Sequence, residues 1–281
     1  MIVVAECGLT HDGSLGTAYS YIDAVARAGA SAVKFQCHAG NTCQRFREGT
    51  FFPQDSDRQG YYERTAFTYL QWRGLADYAR SSGLSFALSA WSVDTVGALD
   101  RFVDIWKLGA SETNNLPLVE ACARTGKPLV LSSGMSDWDE LGEAVSTAWR
   151  HTRDITILQC TSAYPCPPER VGMNCIEDIC ERFCVPFWGR KRGLSDHSGT
   201  IWPGIVAAWL GADMLEVHVC LSRECFGPDV PASITTTELR QLVDGVAFVE
   251  KMRANPVDKD AAARESVGMR QLFRGGRDAT A

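Results

Sequence analysis

The chain has 281 residues, 45% of them hydrophobic, and a formal net charge of −6. That balance excludes the basic stripe of a nucleic-acid surface, and the longest apolar runs are strand-length, too short to span a bilayer. The first six residues carry no basic region or cleavage pattern and read as a strand, and the 11 cysteines are scattered without a Cys-x-x-Cys pair. They are expected to be small buried hydrophobes in a cytoplasmic, reducing setting.

Short apolar runs alternate with amphipathic stretches along the whole chain. The first strand is predicted over 2–5, followed by a helix over 15–27 and a strand over 32–35. A helix over 67–81, a strand over 85–88, a helix over 93–101 and a strand over 105–108 come next. Then follow a helix over 116–124, strand 128–131, helix 138–150, strand 155–159 and helix 173–183. The series closes with a short strand at 193–194, a helix over 201–210, a strand over 214–217 and a helix over 237–252. Eight such units, with strands apolar on both faces, fit a single-domain α/β protein, a (β/α)8 TIM barrel, over residues 1–253. Ala-Gly-Ala and Ser-Gly-Leu are among the turns that read as glycine helix ends. Two segments stand apart. Residues 37–64, with Phe46, Phe51, Phe52, Tyr61 and Tyr62, form a long loop that reads as a lid or as a homodimer contact. Residues 254–281 read as a polar, charged tail.

Barrel enzymes place their chemistry where strands end. Those ends supply Glu6, then Lys34 and Gln36 on one face at period two. They continue with Ser89, Lys107, Glu112, Ser132, Ser162, Tyr164, Ser195, His197 and His218, and Asp229 follows in Phe-Gly-Pro-Asp. His197 and His218 lie one β/α repeat apart, so both imidazoles are expected at one mouth, where they can chelate a divalent ion. Lys34 and Lys107 beside them suggest a phosphorylated or carboxylated small molecule. His11 reads as a cap of the first helix or as a site residue, while His38 and His151 read as exposed or loop histidines.

These strand ends resemble the sialic acid synthase family. The matching stretches include Ala-Glu-Cys-Gly-Leu-Thr-His-Asp-Gly-Ser, Ala-Val-Lys-Phe-Gln, Trp-Lys-Leu-Gly-Ala-Ser-Glu, Leu-Ser-Ser-Gly-Met, Cys-Thr-Ser-Ala-Tyr-Pro, Gly-Leu-Ser-Asp-His-Ser-Gly and Gly-Pro-Asp-Val-Pro-Ala-Ser, in consistent order over residues 2–250. The resemblance implies a condensation of phosphoenolpyruvate with a sugar aldehyde to give a 2-keto-3-deoxy acid and phosphate. It implies His197 and His218 as ligands of manganese or magnesium, and Lys34 and Lys107 as clamps for phosphate and carboxylate. Ser132 and Ser195 would donate hydrogen bonds to the donor, Glu6, Gln36, Tyr164 and Asp229 would hold the acceptor's hydroxyls, and Ser89 and Ser162 would line the substrate site. Glu112 would move protons during attack of water.

The chain also departs from that pattern. The family's usual Ser-Thr-Pro after the third strand is Ser89-Ala90-Trp91 here, Ala110 precedes Ser111-Glu112 where a serine is usual, and Thr10 and Ser162 replace asparagines. Two hydroxyls expected around phosphoenolpyruvate are therefore missing, each worth about 1 kcal/mol, with Ser89 or Ser111 as substitutes. The end of the chain echoes the family's linker to an antifreeze-like domain, and residues 254–281 read as a remnant of that linker. A divergent acceptor is the expectation. Two other readings stay open: a barrel that has lost catalysis and serves assembly, and a metal-dependent aldolase with another donor.

Overall fold

The computed structural model describes residues 1–38, 58–183 and 191–274. In chain order the elements are β1 (Ile2–Gly8), α1 (Leu15–Ala28), β2 (Ala32–Cys37), α2 (Arg58–Thr65), α3 (Tyr69–Ser81), β3 (Ser85–Ala90), α4 (Val93–Leu99), β4 (Ile105–Leu108) and α5 (Leu116–Arg124). They continue with β5 (Leu129–Ser132), α6 (Trp138–Trp149), β6 (Ile155–Cys160), α7 (Asn174–Phe183), β7 (Lys191–Asp196), α8 (Trp202–Trp209), β8 (Met214–Cys220), β9 (Ile234–Thr235), α9 (Thr236–Ala254), α10 (Lys259–Glu265) and α11 (Val267–Arg274). Each of β1 to β8 pairs with the next in parallel, and β8 pairs back onto β1, so the sheet closes into the (β/α)8 barrel. The two-residue β9 joins β8 at the rim.

Strand side chains alternate between two environments, as period two requires. One set, including Val33, Phe35, Phe86, Leu88, Trp106, Leu131, Ile157 and Val217, packs outward into the core shared with the helices. The other set points into the barrel. Its lower layer is an apolar plug of Val4, Ala32, Ala87, Ile105, Val130, Leu158 and Met214. Two residues further along the same strands, the inward positions become Glu6, Lys34, Ser89, Lys107, Ser132, Cys160 and Glu216, and all seven border one cavity. A sealed apolar floor thus carries a polar layer away from bulk water, where electrostatic interactions are strong. At the β7 position of the floor, Gly193 is required by space, because a Cβ there would be driven into the Met214 carbonyl oxygen.

Helix boundaries follow local signals. Thr68, Asp137 and Thr235 form capping boxes with Gln71, Glu140 and Glu238, each worth about 1 kcal/mol. Gly29 closes α1 in the left-handed region at φ 82°, as a C-cap glycine does. The seventh strand is longer than the two residues predicted, because its flanks are charged. Lys191 is paired with Asp154 at 2.9 Å, and Arg192 donates to the Leu210 carbonyl at 3.2 Å, so this strand lacks an apolar signature. The described part of the tail carries two helices, with Leu272 and Phe273 on α11 each 74% exposed.

His38 departs most from the sequence expectation. It is 6% exposed and borders the cavity. His151 stays at the surface, with Nε2 3.2 Å from Glu120 Oε1. His11 is 1% exposed and accepts a hydrogen bond from the Gly13 amide on Nδ1. It stacks on Phe67 with ring centroids 4.6 Å apart and caps the turn into α1 without entering the cavity. Burial pulls its pKa down to about 4, so it is neutral in the fold and protonates in the unfolded chain near pH 6.5. The unfolded state therefore binds the extra proton, and stability should fall as pH drops from about 6.5 toward 4, by about 3 kcal/mol for this group. Urea unfolding at pH 7 and pH 5 tests this, with His11→Gln expected to flatten the slope. A pH dependence unchanged by that substitution contradicts it.

Candidate active site

The polar layer surrounds a cavity of about 570 Å³ at the C-terminal mouth of the barrel. Of the residues proposed from sequence, Glu6, Lys34, Gln36, Ser89, Lys107, Ser132, Ser162, Tyr164, Ser195, His197, His218 and Asp229 all border it. Glu112 does not. It is 2% exposed, and its Oε2 accepts from Asn115 Nδ2 at 2.8 Å.

Above the apolar floor lies a buried charge network. Lys34 Nζ lies 2.8 Å from Glu6 Oε2 and 3.5 Å from Glu216 Oε1, and it donates to Ser89 Oγ at 3.0 Å. Lys107 Nζ shares Glu216 Oε1 at 3.5 Å and donates to the Leu108 carbonyl at 3.2 Å. Ser195 Oγ donates to the same Glu216 oxygen at 3.4 Å. The two lysines are not equivalent. Burial works against the Lys34 charge, but Glu216 and Glu6 overcome it and its pKa is raised. For Lys107 burial wins over the single shared carboxylate, with Lys34 adding repulsion, and its pKa is lowered. Glu216 itself is held below the usual carboxylate range: burial opposes ionisation, and Lys107 and Lys34 outweigh it. Of the two ammoniums Lys107 is the less neutralised by carboxylates, and an anion in the cavity would supply what it lacks. Ser132 Oγ, buried on the same wall, has no hydrogen-bond partner among the described residues.

Sequence reasoning missed Glu216. Its signal was present, because Glu-Val-His places Glu216 and His218 on the same face of β8. The residue was passed over because it precedes the strand end. In the barrel it pairs in register with Ser195.

The upper wall holds the two histidines, with ring centroids 5.2 Å apart. His197 Nδ1–H donates to the Thr161 carbonyl at 2.8 Å, which leaves Nε2 as an acceptor from the Tyr164 hydroxyl at 3.0 Å. Burial, followed by His218, pushes the His197 pKa down to about 4. Burial also lowers His218, with Glu6 opposing and Lys34 adding to the shift. Asp229 Oδ2 lies 3.8 Å from His218 Nδ1, and burial raises its carboxyl above the ordinary range against His197 and Lys34. Two neutral imidazoles, one oriented by a backbone carbonyl, suit a divalent metal with open coordination positions. No group of three or more such ligands is present among the described residues.

Three departures resolve in space. Ala90 is 1% exposed and faces the outer core, not the cavity, whereas Ala110 and Ser111 border it. Thr10 spends its hydroxyl on the Cys7 carbonyl at 2.6 Å. Within the segment read as a lid, residues 39–57, including Phe46, Phe51 and Phe52, lie outside the described residues. Of its other two aromatics, Tyr61 is buried and hydrogen-bonds the Leu9 carbonyl at 3.3 Å, while Tyr62 borders the cavity.

The NeuB family model matches residues 21–258. The chain belongs to the NeuB family. Human N-acetylneuraminate-9-phosphate synthase is 31% identical over 95% of this chain and 76% of its own length. Pseudaminic acid synthase of Helicobacter pylori is 33% identical, over 87% of this chain and 73% of its own. The crystal structure of N-acetylneuraminic acid synthetase from Leptospira borgpetersenii in complex with citrate superposes with a TM-score of 0.84 at 26% identity, covering 98% of this chain and 92% of that one. This NeuB-family chain is an enzyme of the sialic acid synthase type, a transferase that forms a carbon–carbon bond. No helix among its described residues is long and apolar enough to cross a membrane.

Proposed function

We propose that this barrel condenses phosphoenolpyruvate with an aldehyde, the new carbon–carbon bond forming from the enol carbon to the aldehyde carbon and one water adding at the former enol carbon as phosphate leaves, to give a 2-keto-3-deoxy acid and phosphate. The observation that carries the reading is the pair of buried ammoniums, Lys34 and Lys107, around Glu216, with the orphaned Ser132 hydroxyl facing the same cavity. The two lysines bind the donor's phosphate and carboxylate, and Ser132 and Ser195 donate hydrogen bonds to their oxygens. Glu216 holds both ammoniums in place. Glu6, Gln36, Ser162, Tyr164 and Asp229 face the acceptor. His197 and His218 are the residues that would hold manganese or magnesium, which supplies Lewis acidity toward the aldehyde oxygen when bound.

The acceptor is proposed to differ from N-acetylmannosamine, being a larger or chemically different aldehyde such as a nucleoside- or natural-product-derived sugar. The test is phosphate release from phosphoenolpyruvate across an aldehyde panel, with and without chelator. Aldehyde-dependent release supports the condensation, and release with none of them overturns it. If N-acetylmannosamine proves the best acceptor at ordinary affinity, the divergent acceptor is wrong.

The two alanine departures are expected to behave differently. Ala110→Ser adds a hydroxyl to the cavity wall beside Ser111 and should lower the KM for phosphoenolpyruvate about five-fold, the equivalent of about 1 kcal/mol. Ala90→Thr buries a hydroxyl in the outer apolar core. It should lower stability by about 1–3 kcal/mol and leave that KM unchanged. Steady-state kinetics with thermal melts separate the two, and a donor effect at residue 90 contradicts the assignment of faces.

A further inference from the structure

We propose that Trp91 is the residue that sets acceptor specificity, and that its indole, backed by His38, stacks on a flat ring carried by the aldehyde. The inference rests on the condensation proposed above and names the acceptor class for the same cavity.

The placement follows from strand period and register. On β3 the inward positions run from Ala87 in the apolar plug to Ser89 beside Lys34, and the next inward position is Trp91. On β2 they run from Ala32 through Lys34 and Gln36, and the next is His38. Gln36 pairs with Ser89 and Cys37 with Ala90, so His38 and Trp91 stand side by side at the rim, roughly 7 Å above the charged layer at about 3.3 Å per residue. Their rings stack with centroids 3.8 Å apart. Tyr62 of α2 stacks on His38 at 4.2 Å and an interplanar angle of 9°. All three border the cavity.

The stack is also held in place. His38 Nε2 is 2.9 Å from Gln36 Oε1, Gln36 Nε2 donates to Glu6 Oε1 at 2.6 Å, and Glu6 pairs with Lys34. Both polar ends of Gln36 are therefore engaged within the protein. The β2–β3 side of the mouth thus offers an acceptor a ring face, whereas Tyr164 and Asp229 provide polar contacts on another side. Met135, 61% exposed, adds apolar surface to the rim of the same cavity. A preordered indole favours an offset or edge-on aromatic partner over a fully hydroxylated chain, which keeps its hydration.

The test compares three aldehydes: N-acetylmannosamine, N-benzoylmannosamine, and N-acetylmannosamine bearing a benzoyl ester on its C6 hydroxyl. Phosphate release from phosphoenolpyruvate is followed for the parent, Trp91→Ala and Trp91→Phe. In the parent, at least one aryl aldehyde is expected to exceed N-acetylmannosamine tenfold or more in kcat/KM. Trp91→Ala should abolish that preference through the aldehyde KM while leaving the KM for phosphoenolpyruvate unchanged. Trp91→Phe, which keeps a ring, should retain most of it. Turnover without an aryl preference, or a preference that survives Trp91→Ala, overturns this inference and leaves the condensation standing. Turnover of no aldehyde by the parent overturns both.

Discussion

Replacing Lys107 with Met is expected to raise the dissociation constant for phosphoenolpyruvate by roughly 30-fold to a few thousand-fold, the equivalent of about 2–5 kcal/mol for a lost buried charge partner. Lys34→Met should weaken binding as strongly, but the two variants should differ in stability. Lys34 is the ion-pair partner of Glu6 at 2.8 Å and shares Glu216, so its loss leaves two buried carboxylates short of a counter-charge. Lys107 shares only Glu216, which retains Lys34 after the substitution. Breaking a buried pair from one side commonly costs about 3–5 kcal/mol of fold stability, and that loss should fall mainly on Lys34→Met. Calorimetric titration with phosphoenolpyruvate, alongside urea unfolding, reads both effects. Parent-like binding by both variants would mean that the donor sits elsewhere.

Removing divalent metal is the second large effect expected. Chelator should abolish turnover and manganese should restore it. His218→Ala should lose the ion, measured by metal analysis of the dialysed protein as well as by activity. His197 and His218 are both held neutral by burial, the form that ligates, so the apoprotein needs no proton release at these rings near neutral pH. Fold stability should change little, because an open site at the mouth contributes little to the packing of the plug and the outer core. Full activity in metal-free buffer would contradict this assignment.

The fold was legible because two periods superimpose in this sequence. Runs such as Val33–Phe35 and Ile155–Ile157 carry strand character, and glycine-closed helices separate them. What blurred the strand ends is what makes them functional. Glu6, Gln36, Ser195 and Asp196 continue their strands in polar residues, so an apolar criterion stops two or three positions early. The cavity itself was mostly legible, since the residues read from the strand ends and Asp229 from the loop after β8 all border it except Glu112. That side chain sits in the turn after β4 and accepts a hydrogen bond from Asn115, a local contact that strand spacing does not encode. Glu216 and His38 were missed for opposite reasons. Glu216 lies one inward step below the strand end, and His38 lies one step beyond it, where the register of β2 against β3 brings it onto Trp91. The helix α2 sits within a charged, glycine-bearing stretch with little apolar periodicity, so its single cavity-facing ring, Tyr62, emerges only in three dimensions.

The most direct test of the central claim is mass spectrometry of the organic product formed from phosphoenolpyruvate, manganese and the best aldehyde. The proposed condensation predicts one new acid, heavier than the aldehyde by one pyruvate unit, appearing in equal amount with inorganic phosphate and absent from the Lys107→Met reaction. Free pyruvate in place of that acid would show hydrolysis of the donor without carbon–carbon bond formation, and would contradict the account.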